Sequence, residues 1–203
     1  MKIKMLGLAA VAVTALAVAL VGSALAHTEN TKLCKEEACL NHWPSGETIR
    51  AALETGTVAK LTSTFLTVEC SVSSVEGKTE AEVGSPLPGQ ITALKFEKCK
   101  TSSSTECKVT TEALGGAGST TIAHTEGSNG SMVVKGTEVR VACGAINCLF
   151  EGKEDIAGLA VVGGNPAKVI ATNVPLSSAC GSAKWTATYV LSAPGTGNVF
   201  VGH

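Results

Sequence analysis

The side chains able to do chemistry in this chain are few: histidines at 27, 42, 124 and 203, eight cysteines, one aspartate (Asp155) and scattered glutamates. The most specific possibility is at His27. The stretch "GSALAHTENTKLC" (22–34) places Ala24-Leu25-Ala26, a small-x-small cleavage pattern, directly before it. Cleavage there frees an α-amine beside an imidazole, a pair that chelates copper, with His124 or His42 as a second ligand. A serine-type triad would need a histidine base oriented by a carboxylate, and Asp155 in "EGKEDIAG" is the sole aspartate available. No G-x-S-x-G elbow accompanies it. Paired carboxylates such as Glu76, Glu80 and Glu82 could run glycoside hydrolysis. On strands they read instead as a solvated face, and the aromatic platforms that hold sugars are scarce, with Trp43, Trp185 and Tyr189 the main candidates. "GGAGS" and "VVGGNPAK" lack the Lys-Ser/Thr that completes a phosphate loop and read as turns. The reading therefore carries no catalytic residue and no cofactor, with His27 and His124 as a speculative metal pair.

The cysteines say more. Cys34, Cys39, Cys70, Cys99, Cys107, Cys143, Cys148 and Cys180 all follow the cleavage point, and an even number in an exported chain implies four disulfides. Proximity in sequence suggests Cys34 with Cys39, Cys99 with Cys107 and Cys143 with Cys148, leaving Cys70 with Cys180. On chain-entropy grounds the short loops contribute roughly 2 kcal/mol each and the long closure about 5 kcal/mol. Zinc is the rival, because "CKEEAC" and "CGAINC" are both C-x4-C.

Export is written at the start. Lys2 and Lys4 precede an uncharged Ala/Val/Leu run from Met5 to Ala26, the pattern of a signal peptide, with an uncleaved membrane anchor as its competitor. Removing residues 1–26 takes 16 basic residues to 14 against 17 acidic ones, a formal charge of −3. That balance offers no basic footprint for nucleic acid or anionic lipid. The expected partners are therefore no nucleic acid, no membrane after cleavage, and an unidentified ligand of the cell envelope or extracellular space.

The elements that must position these residues are strands. In "LTVECSV", Leu66, Val68, Cys70 and Val72 alternate with polar residues. Trp185, Ala187, Tyr189 and Leu191 do so in "KWTATYVL", and Val139, Val141 and Cys143 in "EVRVAC". Weaker candidates cover 90–97, 107–112, 119–124, 131–135 and 167–172. "EGSNGS" (126–131) reads as a hairpin connection whose Asn-Gly serves the turn, although "NGS" also fits a glycosylation pattern. "GSPLPGQ" and "GGNPAK" read as breaks in the ladder. "PSGETIRAALETG" is expected to be a strand turning at Thr55-Gly56 into "TVAKLTS". The whole predicts an all-β antiparallel β-sandwich or β-barrel stapled by disulfides. Its organisation is a signal peptide (1–26), a polar arm (27–43), the β domain (44–194) and a tail (195–203) that is either flexible or a last edge strand. Aromatics make up only 3% of the chain. An interior so poor in rings gains less from burial, which gives the disulfides a role.

The segments "PSGETIRAAL", "AKLTSTFLTVECSVSSVEGKT", "ITALKFEKC", "VRVACGAINCLFEG" and "CGSAKWTATYVLSAP" together resemble a group of secreted, disulfide-rich proteins of soil actinobacteria with no assigned activity. The likeness spans about residues 44–194 and implies export and an all-β fold, but supplies no site residues. Separately, a His27 chelate with a second imidazole is similar to the histidine brace of lytic polysaccharide monooxygenases, which are also built on β-sandwiches. The function expected is a secreted, non-enzymatic binding or structural module, with a copper protein or oxidative enzyme, and then a hydrolase, as alternatives.

Overall fold

The computed structural model describes residues 30–111, 118–151, 156–164, 166–195 and 197–203, the stretch 156–160 by its backbone alone. The expected signal peptide, His27 and Asp155 lie outside the described residues. Fourteen strands and no helix are found among those described. The first six are β1 (Lys32–Cys34), β2 (Thr48–Leu53), β3 (Ala59–Ser63), β4 (Thr67–Thr79), β5 (Leu87–Thr101) and β6 (Glu106–Thr111). Then come β7 (Ser119–His124), β8 (Asn129–Lys135), β9 (Glu138–Cys143) and β10 (Ile146–Glu151). The last four are β11 (Ile156–Val162), β12 (Lys168–Ser178), β13 (Ala183–Ser192) and β14 (Phe200–Gly202).

Every pairing is antiparallel, and the ladder closes on itself. Starting from β5, one end of the ring runs β7, β8, β11, β12, β13, β2, β4 and back to β5. The other end runs β6, β9, β10, β12, β13, β3, β4 and back to β5. The sandwich-or-barrel expectation thus resolves to a closed barrel of eight lanes, with the ring of pairings complete at both ends. Lanes β4, β5, β12 and β13 run the full height, and the others are each two shorter strands set end to end.

That arrangement explains where simple alternation fails. Val68 and Cys70 point inward, yet Val72 is exposed, contrary to the expectation that it shares their face. Inward pointing resumes at Ser73, and opposite it β5 breaks phase in the same way between Phe96 and Cys99, where Lys98 takes φ 52°. β12 does likewise between Ala171 and Val174, with Asn173 at φ 52°. Such breaks bend a long strand so that both halves keep an inward face. β13 needs none: Ala183, Ala187, Tyr189 and Leu191 are all buried, as its alternation predicts.

Several local expectations are corrected. "TIRAALETG" is a strand, but the chain does not reverse at Thr55-Gly56: β2 and β3 both pair with β13 and β4 in one direction, with residues 54–58 as a loop inserted in one lane. "GSPLPGQ" does not end the ladder, since β5 starts at Leu87. Pro88 serves there through its carbonyl, which accepts from the Glu80 amide at 2.9 Å. Asn129-Gly130 opens β8 rather than forming the turn. A Cβ on Gly130 would lie 2.9 Å from both the Ala123 carbonyl oxygen and Val201 Cγ1. The arm is no appendage: β1 pairs with β14, Leu33, Cys34, Trp43 and Val201 are buried, and the tail supplies the partner strand.

The cysteine pairing also differs from sequence proximity. Cys34–Cys39 forms as expected, but the others are Cys70–Cys99, Cys107–Cys143 and Cys148–Cys180, with Cα separations of 3.9, 4.4 and 5.9 Å. Cys99 does sit opposite Cys107 in the β5–β6 hairpin. Each, however, has a second lateral neighbour, Cys70 on β4 and Cys143 on β9, and those are the bonds made. Closeness along the chain misled because a sheet residue has neighbours on both sides. With every cysteine oxidised, no thiolate remains for the zinc alternative.

Candidate functional site

The two ends of the barrel are built differently. At one, the β1–β14 ribbon lies across the end. Thr31 exchanges backbone hydrogen bonds with Gly84 (2.6 and 3.1 Å), the Val201 amide donates to the Ser128 carbonyl (3.3 Å), and Trp43 Nε1 donates to the Asn198 carbonyl (3.3 Å). The Cys34–Cys39 loop backs this ribbon so tightly that a Cβ on Gly202 would fall 2.5 Å from Cys39 Sγ. At the other mouth the disulfides Cys70–Cys99, Cys107–Cys143 and Cys148–Cys180 tie β4 to β5, β6 to β9, and β10 to the turn between β12 and β13.

Between the mouths the side chains do not fill the interior. A cavity of about 190 Å³ runs along the barrel, bordered by inward residues of nearly every lane. Leu33 and Val199 of the ribbon end border it, as do Phe96, Phe150 and Trp185 further up. Its walls are almost wholly apolar, and two of them are the small residues Ala51 and Ala59. An eight-stranded barrel stands at the size where side chains either just fill the inside or leave room for one small molecule. Here the dominance of Val, Ala and Leu over rings, legible in the composition, leaves room.

One polar pair is built into this wall. Ser73 Oγ donates to the Lys95 carbonyl at 2.9 Å, and the Tyr189 hydroxyl lies 2.8 Å from Ser73 Oγ. With the serine proton committed to Lys95, the tyrosine is the donor of that pair. Burial pushes the Tyr189 hydroxyl up to about 12, against a smaller lowering by Ser73, so it stays neutral in the neutral range. A neutral, internally bonded hydroxyl adds no charge to the cavity. Trp185 and Tyr189, two of the aromatic candidates, stand with ring centroids 6.1 Å apart on this wall.

The chemistry-bearing residues predicted from sequence lie elsewhere. His124 ends β7, its amide donating to Thr31 Oγ1 and its Nε2 to the Gly127 carbonyl, both at 2.8 Å. Its ring lies 4.7 Å from that of His203, a neighbour that sequence spacing could not foresee. His42 Nε2 lies 3.5 Å from a Glu82 oxygen, and Glu76 pairs with Arg50 at 3.1 Å, all at partly or largely exposed positions. Trp43, the third aromatic candidate, is buried, with Lys35 Nζ 4.8 Å from its ring centroid. The copper pairing of His27 with His124 and the use of Asp155 both require residues outside those described. Among the described residues no group of three or more His, Cys, Asp or Glu side chains is placed to hold a metal ion.

Sequence reasoning missed the cavity because no motif encodes it; the one available signal was the shortage of large side chains on inward positions. Comparison with protein-family models, curated proteins and solved structures finds no match to this chain, so fold and site rest on its own residues.

Proposed function

We propose that the protein is an exported, non-enzymatic binding module that carries a small apolar molecule inside its barrel. The observation that carries this reading is the lined interior cavity of about 190 Å³. Engineered apolar cavities of about 150 Å³ stay dry and take up benzene-sized guests, so this one, about a quarter larger, suits an apolar guest somewhat larger than benzene. Four disulfides fit an oxidising compartment, in accord with the leader pattern of residues 1–26.

Naphthalene, a neutral fluorescent hydrocarbon, tests the reading. The mature chain should bind one equivalent saturably, with a negative heat-capacity change from apolar burial. At a ligand concentration of 100 Kd it should gain about 2.7 kcal/mol of stability. A melting temperature indifferent to saturating naphthalene would refute the proposal.

A further inference from the structure

Two of the chain's four histidines meet at the ribbon end of the barrel. His124 is the last residue of β7, and His203 directly follows β14. The segments that carry them are tied down by backbone contacts. The His124 amide donates to Thr31 Oγ1, just ahead of β1, and the Val201 amide donates to the carbonyl of Ser128, in the turn after β7. The two rings stand with centroids 4.7 Å apart and planes inclined at 54°, which is not a parallel stack. Two imidazoles on one metal ion, with metal–nitrogen bonds of about 2.0–2.1 Å, place their centroids about 4.5 Å apart at a right angle and about 5.2 Å apart at the tetrahedral angle. The observed spacing lies inside that interval.

A second feature fixes the chemistry of His124. Its Nε2 lies 2.8 Å from the Gly127 carbonyl. A carbonyl only accepts, so the neutral ring carries its proton on Nε2 and its lone pair on Nδ1. Histidines that bind metals are oriented in this way, the far nitrogen donating to a backbone carbonyl or a carboxylate. His203 is exposed, which gives an ion access from solvent, and both side chains carry further interactions as well.

We propose that His124 and His203 form a two-imidazole site for a divalent transition-metal ion, with copper(II) its strongest binder. Imidazole suits copper, nickel and zinc rather than calcium or magnesium, and copper(II) heads the affinity order. Two protein ligands leave the remaining positions to water. Unlike a chelate at His27, the site needs no N-terminal amine. Neither histidine borders the cavity, so the site is independent of what the barrel carries. One ligand belongs to the barrel wall and the other to the end of the ribbon, so a bound ion ties β14 to β7.

Copper(II) titration of the mature chain carrying His27→Ala and His42→Ala isolates the pair, since no other histidine remains. One equivalent should bind, and pulsed EPR should register two coordinated imidazoles. Adding His203→Ala should leave one imidazole and weaken binding at least about tenfold, about 1.4 kcal/mol. Adding His124→Ala should do the same; if that protein does not fold, the exposed His203 decides. Saturating copper should raise the melting temperature of the protein that keeps the pair, and raise it less once His203 is replaced. The site is overturned by absence of binding in the doubly substituted protein, by a single imidazole there, by affinity unmoved by His203→Ala, or by equal thermal shifts with and without His203.

Discussion

Filling the cavity should stabilise the protein and abolish its binding at once. Ala51 on β2 is buried and borders the cavity. At about 24 cal/mol per Å³, an empty cavity of about 190 Å³ withholds some 4–5 kcal/mol that a packed interior would have. Ala51→Leu adds three buried carbons at about 0.8 kcal/mol each, a ceiling near 2.4 kcal/mol before rotamer cost. The expected gain is therefore about 1–2 kcal/mol, or roughly 3–6 °C in melting temperature for a chain of this size. Ala187 on β13 supplies the control: it is equally buried but does not border the cavity. There the same substitution overpacks, and should cost about 1–3 kcal/mol. Urea unfolding gives the free energies, and naphthalene titration should show binding weakened at least about tenfold in Ala51→Leu. Opposite signs at two buried alanines are hard to obtain unless one of them faces empty space. If Ala51→Leu destabilises by as much as Ala187→Leu, the interior is already full and the reasoning fails.

Two further outcomes follow from the described contacts. Cys107→Ala with Cys143→Ala opens a closure of sequence separation 36, worth about 3.8 kcal/mol on chain entropy and roughly 10 °C in melting temperature. Peptide mapping of the wild type should find Cys107 linked to Cys143; a Cys99–Cys107 peptide in its place would refute that pairing and the estimate built on it. Raising the pH should cost stability through Tyr189, whose hydroxyl titrates near 10.0 when unfolded and about 12 when folded. The folded chain keeps its proton where the unfolded one has lost it. The contribution is thus intact below pH 10 and falls by about 2–3 kcal/mol by pH 12. Tyr189→Phe should remove that part of the alkaline slope, and an unchanged slope would place the tyrosine in solvent.

By itself, the sequence determined the kind of structure. Period-two alternation is a local property, and it marks β13 from Ala183 to Leu191 and the inward faces of β9 and β4 up to Cys70 without knowledge of any partner. The even cysteine set and the leader pattern are likewise readable one residue at a time. Only the tertiary structure decided which cysteines join, because each rung of a sheet has two lateral neighbours and chain distance distinguishes them poorly, as Cys99 between Cys70 and Cys107 illustrates. The same holds for Val72, whose outward turn comes from the bend that β4 makes with β5, and for Leu33 and Trp43, drawn inward because the tail strand β14 meets β1 across a mouth. The cavity is decided furthest from the sequence of all. Its volume is the difference between the space that eight closed lanes enclose and the side chains that point into it, and neither quantity exists until the ring of hydrogen bonds is complete.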